Sequence, residues 1–257
     1  MNMRSRCIIF ISLLLVARAA VAEETTAAKK YESLLAEYEQ EGGIRSFAKR
    51  FLSFAEENVK EPAAADAMFW IIDNVPGRRE AARAIELLTQ NHANSEKMGT
   101  GCKVIAAART VGAEKLLHVT LEKNKDKQIR AQACFYLGKL LDREAIIVDQ
   151  LKANPTLAPR VLQYYGKEYG DHLASLEPAV LAKSRETVYA RMLQVFPDVE
   201  IEDEKIGDIA EYALHGIREL SVGKIAPEIK GKDIDGKAFK LSDYRGKVIM
   251  LSFWGHW

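Results

Sequence analysis

The sequence is poor in the residue patterns that usually announce chemistry. It holds three cysteines, none of them in a Cys-x-x-Cys, so no redox pair is written into the chain itself. His92, His118, His172 and His215 stand apart from one another, with no metal-ligand spacing and no His-Glu-x-x-His, so a bound metal is not expected. There is no phosphate-cradling glycine loop, no nucleophile elbow and no paired-carboxylate signature. Glu168–His172, "EYGDH", reads as a helix end instead of a site. Formal net charge is only +1, which gives neither the basic field of a nucleic-acid binder nor an acidic tail for a cationic partner. No apolar run is long enough to span a bilayer, which takes about 20 residues in a helix.

What is present begins at the N-terminus. Arg4 and Arg6 precede the 11-residue apolar run Cys7–Ala17, and "AVA" at 20–22 offers small residues for cleavage after Ala22. This is the layout of a secretory signal peptide over residues 1–22, with an uncleaved membrane anchor as the alternative. Cys7 precedes the apolar run, which argues against lipid attachment there. The mature protein is therefore expected in the periplasm or cell envelope, and not as an integral membrane protein. Loss of Arg4, Arg6 and Arg18 leaves 34 basic against 36 acidic residues. Cys102 and Cys134 then remain, with 31 residues between them, in a compartment that permits disulfides. Both lie in apolar, helical surroundings. Buried free thiols are the favoured reading and a structural disulfide is the other.

Residues 23–220 have a helical hydrophobic period. Tyr31, Leu34, Leu35 and Tyr38 form one stripe; Phe47, Phe51, Phe54 and Ala55 another; Tyr189, Met192, Leu193 and Phe196 a third. The clearest is Ile206, Ile209, Ala210, Ala213, Ile217 and Leu220. "MFWIID" from Met68 is apolar all round and is expected to be central. Breaks at Glu41–Gly43 and at Pro62, Pro76, Pro155, Pro159, Pro178 and Pro197 divide this part into eight to ten short helices with short connections. Short connections favour antiparallel neighbours. A helical hairpin beginning near Gly112 and a second near Arg143, about 31 residues on, hint at a tetratricopeptide- or HEAT-like stack, with Leu116-Leu117 matching Ile147-Val148. No full repeat signature recurs. The expected fold is mainly α: an irregular array of helical hairpins.

The pattern changes after Ser221. Asp235-Gly236 between "EIKGKDI" and "KAFKL" predicts a β-hairpin, because glycine accepts the positive φ such a turn demands. Ser242 is placed to cap the single turn "SDYRG". Val248–Trp254 is apolar at almost every position, as in a core strand covered on both faces. Residues 221–257 thus read as the start of an α/β domain.

These residues resemble the opening of the thioredoxin-like redoxins, the group of exported thiol:disulfide oxidoreductases and alkyl hydroperoxide reductase/thiol-specific antioxidant proteins. The resemblance rests on Gly223, Ala226-Pro227, Asp235-Gly236-Lys237, Leu241-Ser242-Asp243, Gly246-Lys247-Val248 and Phe253-Trp254 with Trp257, and covers 35 of 257 residues. It implies that Trp254, Gly255, His256 and Trp257 flank an active site whose attacking cysteine or selenocysteine follows Trp257. Trp254 and Trp257 would form an apolar shelf, with His256 a solvent-facing filler between them. It implies no cofactor. The partners would be a protein or small-molecule disulfide or peroxide as substrate, a thiol reductant, and a protein docked on the helical domain; no nucleic acid is implied. "FWGHW" favours disulfide over peroxide reduction. A nucleophile there would sit at a helix N-terminus, where free N–H groups and the helix dipole stabilise a thiolate.

On this resemblance the domain is truncated before its redox motif, and the chain as given lacks its catalytic residue. A sequencing fragment, a truncated product and a UGA codon read as stop in place of selenocysteine all account for that. Only the last predicts termination at this position. Residues after about 223 are then expected to pack poorly. The rival reading is a helical scaffold or binding protein with a vestigial, non-catalytic tail.

Overall fold

The computed structural model describes residues 26–221 and 223–252. Among them are eleven α-helices and two small two-stranded sheets, a mainly-α fold. The chain divides into two compact units, Met1–Glu211 and Tyr212–Trp257, each described by itself below.

The first unit opens with α1 (residues 26–41), α2 (Ile44–Glu57), α3 (Pro62–Asn74) and α4 (Arg79–Asn91). Glycine is required between α1 and α2: Gly42 and Gly43 have φ of 68° and 86°, where a side chain would be strained. Pro62 stands at the start of α3, where the missing N–H costs nothing. The Phe47–Phe51–Phe54–Ala55 stripe of α2 is buried, with Phe51 against Trp70 at 4.2 Å between ring centroids and Tyr31 of α1 at 5.8 Å. Met68, Ile71 and Ile72 of α3 are fully buried, while Phe69 and Trp70 are half-buried. Each large apolar side chain taken out of water contributes about 1.5–3 kcal/mol before entropy is charged against it.

Next come α5 (Met98–Ala106), α6 (Gly112–Lys123) and α7 (Lys127–Ala153). α6 and α7 form the hairpin expected near Gly112. Its turn is specified by polar side chains. Asp126 caps α7 by accepting from the N–H groups of Gln128 and Ile129, at 2.7 and 3.2 Å. Asn124 accepts from Asp126 N–H and donates to the carbonyls of Ala93 and Ser95.

The second hairpin expected near Arg143 does not exist. α7 runs unbroken for 27 residues through that position, because no proline or turn sequence interrupts 127–153. Its one glycine, Gly138, is a packing site: a Cβ there would lie 3.1 Å from the Tyr189 ring. α7 is the central element, packed against α5, α6, α9 (Lys167–Ser175) and α10 (Pro178–Val195), so the first unit is organised around one long helix and not as a regular stack. Between α7 and α9 lie a 3-10 turn at Pro155–Leu157 and α8 (Ala158–Tyr165). "EYGDH", expected at a helix end, begins one residue after the start of α9, and its Tyr169 is buried. After α10, the strands β1 (Glu200–Ile201) and β2 (Glu204–Lys205) pair across a turn in which Glu202 and Asp203 both have positive φ, and α11 (Ile206–Glu219) follows, with the division between the two units falling inside it after Glu211.

In the second unit, β3 (Lys230–Lys232) and β4 (Ala238–Lys240) pair antiparallel, with Lys230 opposite Lys240, Gly231 opposite Phe239 and Lys232 opposite Ala238. A 3-10 turn, Leu241–Tyr244, follows. The core strand expected from Val248 is absent over the described part of that segment: 248–252 have no strand pairing, and Val248 and Met250 are 104% and 91% exposed. An apolar run becomes a central strand only where neighbouring strands take its N–H and C=O groups and other elements cover both faces. Neither is present among the described residues.

Candidate functional site

The four residues that the sequence singles out beside a nucleophile, Trp254, Gly255, His256 and Trp257, lie outside the described residues. What the structure does describe is the segment leading to them, and that segment is held mainly by backbone groups. The hairpin closes at Asp233–Lys237. Gly236 N–H donates to the Asp233 carbonyl at 3.0 Å, and Asp233 N–H to the Lys237 carbonyl at 2.9 Å. The Asp233 carboxylate accepts from the N–H groups of Asp235 and Lys237. Gly236 takes φ of 80° at the last position of the turn, which is why Asp-Gly is informative there.

The next turn is fixed differently from the sequence expectation. Ser242 does not cap it. The Asp243 carboxylate accepts from Lys240 N–H at 3.2 Å, and Ser242 offers its own N–H to Glu228 Oε1 at 2.9 Å. The Ser242 hydroxyl first, and then this N–H bond, hold the exposed Glu228 carboxyl below its ordinary range. Leu241 N–H donates to the Ile229 carbonyl at 2.8 Å, a second tie between the stretch before β3 and the turn after β4. The two ties frame a cleft of about 370 Å³ whose walls include Ile225, Pro227, Leu241, Tyr244, Ile249 and Leu251. Sequence reasoning missed Glu228, since a lone glutamate 14 residues from its partner carries no local signal.

The two described cysteines supply no nucleophile. Cys102 and Cys134 are fully buried free thiols, so the Cys102–Cys134 disulfide considered from sequence is not formed. Burial pushes both thiols up to about 12, and Cys134 points its sulfur at the Val188 carbonyl, 3.6 Å away. At neutral pH neither is a thiolate, the form that attacks disulfides. Among the described residues no group of three or more His, Cys, Asp or Glu could hold a metal ion, and no helix is long and apolar enough to cross a membrane.

A stretch of 38 residues is similar to thiol-disulfide oxidoreductases named ResA. It is 45% identical to the protein of Geobacillus thermodenitrificans, 47% to that of Geobacillus kaustophilus and 42% to that of Bacillus anthracis. The match covers 15% of this chain and 22% of each relative, so the chain spans less than a quarter of the length of the curated relatives it matches. No family model and no solved structure matches the chain. The similarity is thus local, and it points to a thioredoxin-like protein.

Proposed function

We propose that the matched stretch is the tail from about Gly223 onward, and that the chain belongs to an exported thioredoxin-like thiol:disulfide oxidoreductase carrying a helical body ahead of its redox domain. The observation that carries this is the 42–47% identity to named thiol-disulfide oxidoreductases. Two features support placing it in the tail. The hairpin turns at the Asp-Gly the resemblance rests on, and 38 residues is close to the 35 over which the redoxin pattern runs. In this reading Trp254–Trp257 flank the reacting chalcogen, and the chemistry is thiolate or selenolate attack on a disulfide with release of a thiol. The described cysteines take no part. The helical body docks a protein partner or positions the redox domain, and the first 22 residues direct export.

The test compares insulin-disulfide reduction, with dithiothreitol as reductant, by the 257-residue chain and by the product of the whole gene, including any coding sequence in frame beyond the Trp257 codon. The chain alone is expected to match the uncatalysed rate. The whole product is expected to exceed it and to lose that excess when the first downstream cysteine or selenocysteine becomes serine. A whole product without a thiol or selenol in the tail region, or one inactive on disulfides, would refute the assignment and leave a scaffold protein. N-terminal sequencing of the envelope fraction checks export, with Glu23 expected as the first residue.

A further inference from the structure

The first unit carries a basic cleft that the redox reading does not use. About 630 Å³ in volume, it lies between the start of α2 and the start of α4, and its walls include Arg45, Lys49, Arg78 and Arg79, with Glu80 the single carboxylate. Other arginines on the same two helices are matched: Arg50 pairs with Glu37, and Arg83 with Glu56 and Glu86. The four cations of the cleft have no ion-pair partner among the described residues.

Their placement runs against local electrostatics. Arg45 is in the first turn of α2, and Arg78 and Arg79 are the N-cap and first residue of α4. A helix N-terminus carries partial positive charge and favours anions, so each of these cations sits where the backbone disfavours it. Neither helix, of 14 and 13 residues, has a side chain capping its N-terminus. Charge that is both unmatched and locally unfavourable marks a place where something other than folding has set the sequence.

A second observation deepens the site. Gly77 and Arg78 also wall a small inner chamber of about 20 Å³, completed by Arg109, Thr110 and Glu168 among others. That is room for about one water-sized atom group. Thr110 is 7% exposed and its hydroxyl has no hydrogen-bond partner, an unusual state for a buried polar atom. The chamber wall includes unusual backbone. Gly77 and Gly166 have φ of 73° and 81°, Arg109 has φ of 54°, and Gly77 N–H is bonded to the Ala108 carbonyl at 2.9 Å. Arg109 itself is anchored, donating to Tyr164 Oη at 2.8 Å with its guanidinium 4.3 Å from that ring.

We infer that this cleft binds a small multivalent oxyanion, phosphate- or carboxylate-bearing. The four outer cations would neutralise it, and one oxygen would enter the chamber to accept from Thr110. Arginine forks and free helix N–H groups both suit such oxygens, and the cleft volume suits a small molecule.

Titration calorimetry of the full chain with pyrophosphate, and separately with citrate, tests this. At least one probe is expected to bind at micromolar to millimolar levels and to weaken with added salt. The Arg78→Gln/Arg79→Gln variant is expected to bind about tenfold more weakly, the loss of about one charge-assisted hydrogen bond, while Lys152→Gln/Lys183→Gln leaves affinity unchanged. Thr110→Val is expected to weaken binding about threefold at unaltered far-ultraviolet circular dichroism. Binding of neither probe, equal losses in the remote lysine variant, or full affinity in both cleft variants would overturn the proposal.

Discussion

The two units use apolar residues in opposite ways. In the helical domain the stripes read from sequence are largely consumed: Phe47, Phe51, Phe54 and Ala55 are buried, as are Tyr189, Met192, Phe196, Ile206 and Ala210, while Leu193 and Leu220 stay exposed. In the tail a run just as apolar lies open, with Val248, Ile249, Met250 and Leu251 all exposed. A stripe at helical spacing can be buried by neighbours close in sequence. A run that is apolar on both faces needs partner strands and covering helices, so its composition states a requirement that the described residues do not meet. Apolar content alone therefore does not locate a core.

Three substitutions sharpen this contrast, beginning with the largest effect. Phe51→Ala, which empties the space between Trp70 and Tyr31, is expected to cost about 3–5 kcal/mol in urea unfolding. A cost as small as that of a surface change would mean the helical unit is not packed as described.

The second concerns Glu144, which is 2% exposed, accepts a 2.7 Å bond from Tyr169 Oη through one oxygen and has no partner for the other. Burial raises its carboxyl above the ordinary glutamate range, the tyrosine bond opposing. Since the folded state holds this proton more tightly than the unfolded one, the contribution of this group to stability is fully present below the ordinary glutamate range and is lost as pH rises through the raised folded value. Glu144→Gln, which cannot ionise, is expected to flatten that part of the profile of Tm against pH. An unchanged slope would contradict the burial of an ionisable group there.

The smallest effect belongs to the tail. Val248→Ser is expected to change the urea midpoint of the helical unit by less than about 0.5 kcal/mol equivalent, as for an exposed surface position. A loss comparable to Phe51→Ala would erase the distinction between the units.

Much of the helical architecture was legible because its signals are local. Proline starts α3 and α10, and Asp235-Gly236 turns the tail hairpin. What was not legible depends on distant partners. Leu116-Leu117 and Ile147-Val148 are all buried, yet their spacing does not mark a repeat, because nothing in 127–153 ends the helix between them. The Glu144–Tyr169 pair joins residues 25 apart, and the basic cleft gathers cations from two helices, so neither has a sequence motif. At the redox end, the hairpin leading to the site was legible, whereas Trp254–Trp257 lie outside the described residues.

The length of α7 also bears on how this protein can diverge. Along its 27 residues it fixes Cys134 opposite Val188, Asp142 opposite Arg185 and Glu144 opposite Tyr169. Adding or deleting one residue within it would swing everything beyond by about 100° about the axis. Where the change falls between Cys134 and Glu144, those residues would go out of phase and at least one of the three registrations would be lost. Length variation among homologues should therefore accumulate in the connections on either side of α7, with the helix itself inherited as a block of constant length.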